Sequence, residues 1–91
     1  MQQRSVSIAV TGTVQGVFFR HHTQLKAQEL GLKGFVQNEP DGSVSICAEG
    51  DAQAVNILIE WARRGPDSAR VSGVSVEDAP HGGYDTFDVR Q

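Results

Sequence analysis

LKGFVQNEPDGSVSICAEG, residues 32–50, is the stretch that decides the fold. It reads as a β-hairpin. Pro40 suits the second position of a type I turn because its ring fixes φ near the required value, and Gly42 suits the fourth. Beyond the turn, Val44, Ile46 and Ala48 alternate with Ser43, Ser45 and Cys47. A period of two puts one set on a buried face and the other on an open one. Gly50 closes the strand.

The segments on either side have the helical period. Upstream, Thr23, Ala27 and Leu30 fall at i, i+4 and i+7 with Leu25 beside them, in the otherwise polar HHTQLKAQEL of residues 21–30. This predicts an amphipathic helix stopped by Gly31. Downstream, Asp51 is a good N-cap. Val55, Leu58, Ile59 and Ala62 form an apolar stripe at i, i+3, i+4 and i+7, and Gly65 and Pro66 end it. At the N-terminal side Val6, Ile8 and Val10 alternate with Ser5, Ser7, Ala9 and Thr11, which predicts a half-buried strand. VSGVSVEDA (71–79) and TFDVRQ (86–91) are two more strand candidates, the last one short. The order β-α-β-β-α-β, with a short extra strand, is that of an α+β, ferredoxin-like split β-α-β sandwich: an antiparallel sheet with two helices on one face. That fold hosts many functions, so function has to come from a site.

Bulk composition narrows the classes. The chain has 91 residues, which predicts a single domain spanning 1–91 with a core of its own. Apolar residues make up 38% and charged residues 21%, an ordinary soluble balance. The formal net charge of -3 argues against a general nucleic-acid binder, which needs a surplus of Lys and Arg on one face. One cysteine, Cys47, excludes an internal disulfide and fits a reducing compartment. No apolar run reaches the roughly 20 residues of a membrane span, and MQQRSVSIAV lacks the apolar core of a signal peptide. A cytoplasmic monomer, with no membrane or nucleic-acid partner, is the expectation.

GTVQGVFFR, residues 12–20, lies between the first strand and the first helix. Gly12 and Gly16 allow backbone conformations and close approaches that a side chain would block. Backbone N–H groups from Gln15 through Gly16, Val17, Phe18 and Phe19 to Arg20 can converge on an anion at a helix N-terminus, and the Arg20 guanidinium offers a fork matched to two phosphate oxygens. Read alone, the same pattern fits a plain turn with a surface arginine. Asn38, just before the hairpin turn, reads equally as a turn-former. Of Phe18 and Phe19, one is expected in the core. His21 and His22 are expected to be exposed, Trp61 to pack at the edge of the second helix, and Cys47 to be inert. His21, His22 and His81 lack metal-ligand spacing.

VTGTVQGVFFR, Val10 to Arg20, resembles the first signature of the acylphosphatase family, with every defining position filled. GFVQNEPDGSVSICAEG, Gly34 to Gly50, resembles its second signature: a Gly-aromatic-small-x-Asn opening, a glycine four residues after Asn38, then Val44 and Gly50. GPDSARV (65–71) and FDVR (87–90) are similar to weaker C-terminal features, so the resemblance spans nearly the whole chain. It implies an enzyme that hydrolyses an acyl phosphate to a carboxylate and inorganic phosphate without metal or cofactor. It places the catalytic arginine on Arg20, the catalytic asparagine on Asn38 and the phosphate cradle on the backbone of Gln15 to Arg20. The paired His21–His22 and the Ser43 that replaces a common threonine are small departures.

The implied chemistry suits so sparse a site. The leaving group is a carboxylate whose conjugate acid has a pKa of about 4, so it departs without a general acid. A loose phosphoryl transition state asks for held oxygens and a placed water more than for a strong base. Asn38, with an acceptor and two donors, can place that water, provided that the fold brings it close to Arg20. Two other classes stay open at this point. A non-catalytic ferredoxin-like ligand-binding or regulatory domain would bind without turnover. An RNA-binding module would need aromatics at the sheet centre and a basic face.

Overall fold

The computed structural model describes residues 2–90. Met1 and Gln91, the ends of the N-terminal reading and of the last strand candidate, lie outside the described residues. The elements run β1 (Gln3–Thr13), α1 (Phe19–Glu29), β2 (Lys33–Asn38), β3 (Val44–Asp51), α2 (Ala52–Arg64), β4 (Arg70–Asp78) and β5 (Phe87–Val89). The β-α-β-β-α-β order and the hairpin are as expected. The sheet order is β4-β1-β3-β2-β5.

Strand β3 sits at the centre and pairs antiparallel with β1 on one side and β2 on the other. Val44 is opposite Val10 in β1 and opposite Asn38 in β2. The C-terminal ends of β1 and β2 therefore meet the same residue of β3 and emerge at one edge of the sheet. They are separated by two strand spacings, about 10 Å. β5 departs from the antiparallel expectation: it joins β2 in parallel, Gly34 opposite Phe87 and Val36 opposite Val89, so the sheet is mixed. Phe87, 2% exposed, fixes that short strand by burying its ring.

The core lies between the sheet and the two helices. Val6, Ile8 and Val10 from β1 meet Val44, Ile46 and Ala48 from β3, and α2 supplies Val55, Leu58, Ile59 and Ala62, all buried as their periods require. α1 differs in one respect. Its buried stripe is Phe19, Thr23 and Ala27, with Leu30 packed at the edge, whereas Leu25 is 50% exposed. At about 100° per residue, Leu25 stands some 200° round the helix from Thr23. The Thr23 hydroxyl avoids an orphan donor by bonding the Phe19 carbonyl at 2.8 Å. On the opposite face of the sheet, the buried Glu49 carboxylate accepts from the N–H groups of Gly82 and Gly83 and lies 2.9 Å from His81 Nδ1, which pins the β4–β5 connection across that face.

The helix ends follow local chemistry. The Asp51 carboxylate accepts from the Ala54 N–H at the start of α2, and Gly65, at φ 71°, donates to the Trp61 carbonyl at its end. In β1, Gly12 marks a register shift against β4; a Cβ there would stand 2.1 Å from the Arg70 carbonyl oxygen.

The hairpin turn closes as its residues predict, with the Gly42 N–H donating to the Glu39 carbonyl at 3.1 Å. The Ser43 hydroxyl, followed by the Ser43 N–H, holds the Asp41 carboxyl below its ordinary range. A carboxylate whose folded pKa is depressed stabilises the fold above its unfolded pKa, and that contribution disappears as pH falls through the folded value. An NMR titration should therefore place the Asp41 midpoint below 3.8, and Ser43→Ala should move it upward. Ile46, fully buried at the sheet centre, should cost about 2–5 kcal/mol of unfolding free energy when changed to Ala, read by urea denaturation.

Candidate active site

The segment between β1 and α1 turns sharply. Val14 enters the core at 1% exposure, Gly16 takes φ 76°, and Phe18 takes φ 62°, ψ 21° as the residue preceding α1. Among the described residues Phe18 is the single non-glycine position with positive φ. This left-handed step separates the two phenylalanines: Phe18 is 74% exposed, while Phe19 is 1% exposed and packs its ring 5.7 Å from that of Trp61. Gly65 makes room, since a Cβ there would lie 2.9 Å from the Phe19 ring.

Three anchors hold the loop. The Gln15 side-chain amide donates to the carbonyls of Glu39 and Ser43, both at 2.8 Å, and so ties the loop to the hairpin turn. The Ser68 hydroxyl donates to the Val17 carbonyl at 2.8 Å. The third anchor is the buried Phe19. Of the loop's own carbonyls, Val17's accepts from Ser68 and Phe18's from the His22 N–H. Among the described residues none of the N–H groups from Gln15 to Arg20 donates to a protein acceptor, and no side chain caps α1. The first turn of α1 also carries no acidic residue. An uncapped helix N-terminus with no carboxylate beside it attracts anions through its open N–H groups and its dipole.

A cleft of about 250 Å³ opens beside this turn, lined by Val14, Gly16, Phe18, Phe19, Arg20, His21, Asn38 and Val89. Arg20 and Asn38 thus border the same space, as the common edge of β1 and β2 requires. Arg20 is the second residue of α1. Its Nη1 donates to the Arg90 carbonyl at 2.7 Å, which orients the guanidinium from the far side of the chain. The Arg90 backbone N–H is itself bonded to the Val36 carbonyl at 2.7 Å, and its guanidinium lies 3.8 Å from the centre of the Phe35 ring. Asn38 closes β2, and its Oδ1 is buried without a hydrogen-bond partner among the described residues. Such an acceptor is unfavourable by about 1–3 kcal/mol until a donor reaches it.

Of the sequence-expected residues, Gly16, Phe18, Phe19, Arg20 and Asn38 line the cleft, and Gln15 and Val17 do not. Gln15 and Val17 belong to the same loop through their backbones, while the Gln15 side chain serves as the clamp to the hairpin. That clamp, the Arg90 carbonyl and Val89 were not anticipated; no local pattern marks a partner 24 or 70 residues away. His21 and His22 are exposed, as expected. Cys47 is half-buried, and burial raises its thiol pKa, which suits an unreactive side chain. Among the described residues no three His, Cys, Asp or Glu side chains group as metal ligands, and no helix is long and apolar enough to cross a membrane.

The Gln15 clamp predicts its own removal. Gln15→Ala should lower the unfolding free energy by about 1–3 kcal/mol, two hydrogen bonds' worth, in urea denaturation.

The comparisons agree with one another. A model of the acylphosphatase family matches residues 6–89. An acylphosphatase of Rubrobacter xylanophilus is 49% identical over 90 residues, which are 98% of this chain and 82% of that protein. An acylphosphatase of Geobacter metallireducens is 50% identical over 84 residues, 91% of this chain and 90% of that one. The structure of an acylphosphatase from Coxiella burnetii matches with a TM-score of 0.93 at 41% identity, covering 97% of this chain and 93% of that one. One from Bacillus subtilis matches with a TM-score of 0.93 at 33% identity, covering 99% and 100%. In sequence and in fold, the chain belongs to the acylphosphatase family.

Proposed function

We propose that the protein hydrolyses an acyl phosphate to a carboxylate and inorganic phosphate, with Arg20 and Asn38 as its catalytic residues. The observation that carries this reading is the meeting of Arg20, the uncapped start of α1 and the unpartnered Asn38 Oδ1 around one cleft.

The phosphoryl oxygens lie on the N–H groups of Gln15 to Arg20, and the Arg20 guanidinium takes two of them. Nη1 stays tethered to the Arg90 carbonyl, so little ordering remains to be done when substrate arrives. Asn38 Oδ1 accepts a hydrogen bond from the attacking water and holds it in line with the bond that breaks. Water oxygen bonds to phosphorus as the bond between phosphorus and the acyl oxygen breaks. The electron pair leaves with the carboxylate, and the water proton passes to the phosphate product or to solvent. Charge accumulates on the equatorial oxygens, which the backbone donors and Arg20 stabilise in this proposal.

No step calls for a metal or a second titrating group, because the leaving carboxylate is stable as an anion. Hydrolysis therefore proceeds without metal or cofactor in this proposal. A cytoplasmic monomer formed by residues 1–91 as one unit completes the reading. Its supports are the single cysteine and the net charge of -3, which keeps nucleic acid away.

Arg20→Lys should lose at least about 100-fold in kcat/KM on benzoyl phosphate, since a point charge does not replace a two-pronged donor. Asn38→Ala should retain competitive inhibition by inorganic phosphate but lose turnover to a similar degree. Full activity of either variant would refute its assigned role. Addition of EDTA should leave the wild-type rate unchanged, and abolition of activity would refute the metal-free mechanism.

A further inference from the structure

Among the described residues, four large apolar side chains stand exposed: Phe18, Leu25, Ile57 and Val89. Two of them, Phe18 at 74% and Val89 at 41%, line the cleft that holds Arg20 and Asn38. They reach it from opposite ends of the chain, Phe18 from the turn before α1 and Val89 from the last strand. Phe18 is there at the expense of a left-handed backbone, which a bulky residue seldom adopts. That backbone turns the ring away from the core, where Phe19 goes instead. An exposed aromatic ring and an exposed valine lining the cleft that holds Arg20 and Asn38 are unfavourable in water and gain from contact with an apolar group.

The cleft is also roomier than its polar part needs. Its volume of about 250 Å³ equals about eight waters' share of liquid volume. That leaves space beside a phosphoryl group and one water.

We propose that Phe18 and Val89 form the acyl subsite: they seat the carbon portion of the substrate and favour a planar, apolar acyl group such as an aroyl group over a small one. This inference rests on the reading of the cleft as an acyl phosphate site. Phosphate binding is backbone work at Gln15 to Arg20, so the Phe18 side chain is free to select what the phosphate is attached to. A flat acyl group stacks on the Phe18 ring with its carbonyl towards the cleft floor, and Val89 closes the other side. Phe18 and Val89 thereby act on the ratio of kcat/KM between substrates, since both substrates share the phosphoryl machinery.

The test compares benzoyl phosphate with acetyl phosphate in wild type, Phe18→Ala, Phe18→Trp and Val89→Ser, with circular dichroism confirming that each variant folds. The benzoyl-to-acetyl ratio of kcat/KM should fall about tenfold in Phe18→Ala, the size of a lost apolar contact in a specificity pocket. It should fall by a smaller factor in Val89→Ser and be retained in Phe18→Trp. An unchanged ratio in Phe18→Ala and Val89→Ser would overturn the subsite. Should Phe18→Ala not fold, Val89→Ser decides alone. A wild-type protein that hydrolyses neither substrate would instead overturn the functional reading beneath it.

Discussion

The structure depends on β3 being bonded on both sides. It pairs with β1 through Val10 and Val44 and with β2 through Val44 and Asn38, so two strands that never touch run in the same direction and end together. Each is followed by a loop at that edge, one leading into α1 and one into the hairpin turn. Arg20 and Asn38 belong to those two loops' margins. Without the central strand they would have no common reference. The core enforces this placement, because Ile8, Ile46 and Val36 alternate onto one buried face and a one-residue slip would send them into water.

The site itself is built from backbone as much as from side chains. Gln15 ties the loop to the hairpin carbonyls, Ser68 bonds the Val17 carbonyl and the buried Phe19 anchors the loop in the core. Together they fix the loop's course, while its N–H groups keep no protein acceptor among the described residues. A protein with a net charge of -3 can in this way still offer an anion a local positive potential: an uncapped helix start and one guanidinium meet at a cleft that no acidic residue lines. On the open face of the sheet the central strands present Ser7, Ser45 and Cys47, and Phe35, opposite Cys47, packs against Tyr84 and the Arg90 guanidinium.

The order of elements was readable because each is locally coded: period two in β1 and β3, period 3.6 in α2, and Pro40 and Gly42 in the turn. Arg20 and Asn38 were singled out by the two stretches that resemble family signatures; read alone, each fits an ordinary turn equally well. The rest was hidden for a physical reason. Gln15 spends its amide on two carbonyls across the fold, Arg20 is oriented by a carbonyl 70 residues away, and Phe87 enters the sheet in parallel beside Gly34. Each of these depends on which strands become neighbours, and alternation does not encode sheet order. Leu25 shows a related limit. A leucine in a helix reads as core until the true stripe, anchored by Phe19, fixes the rotation. The left-handed turn at Phe18 was equally silent, since only glycine announces such a conformation.

The pairing of β1 has a kinetic side. Both its partners lie far along the chain: Val6 meets Ala48 and Asp78, and Thr13 meets Arg70. Such pairings close long loops before any contact repays the lost entropy, so topologies of this kind fold on the order of milliseconds to seconds rather than microseconds. During synthesis the first strand emerges early and waits, unpaired on its β4 side, until residues 70–78 have left the ribosome. The alternation of Ser5, Ser7 and Thr11 with the apolar residues keeps one face of that waiting strand largely polar, a safeguard against pairing with a neighbouring chain in the meantime.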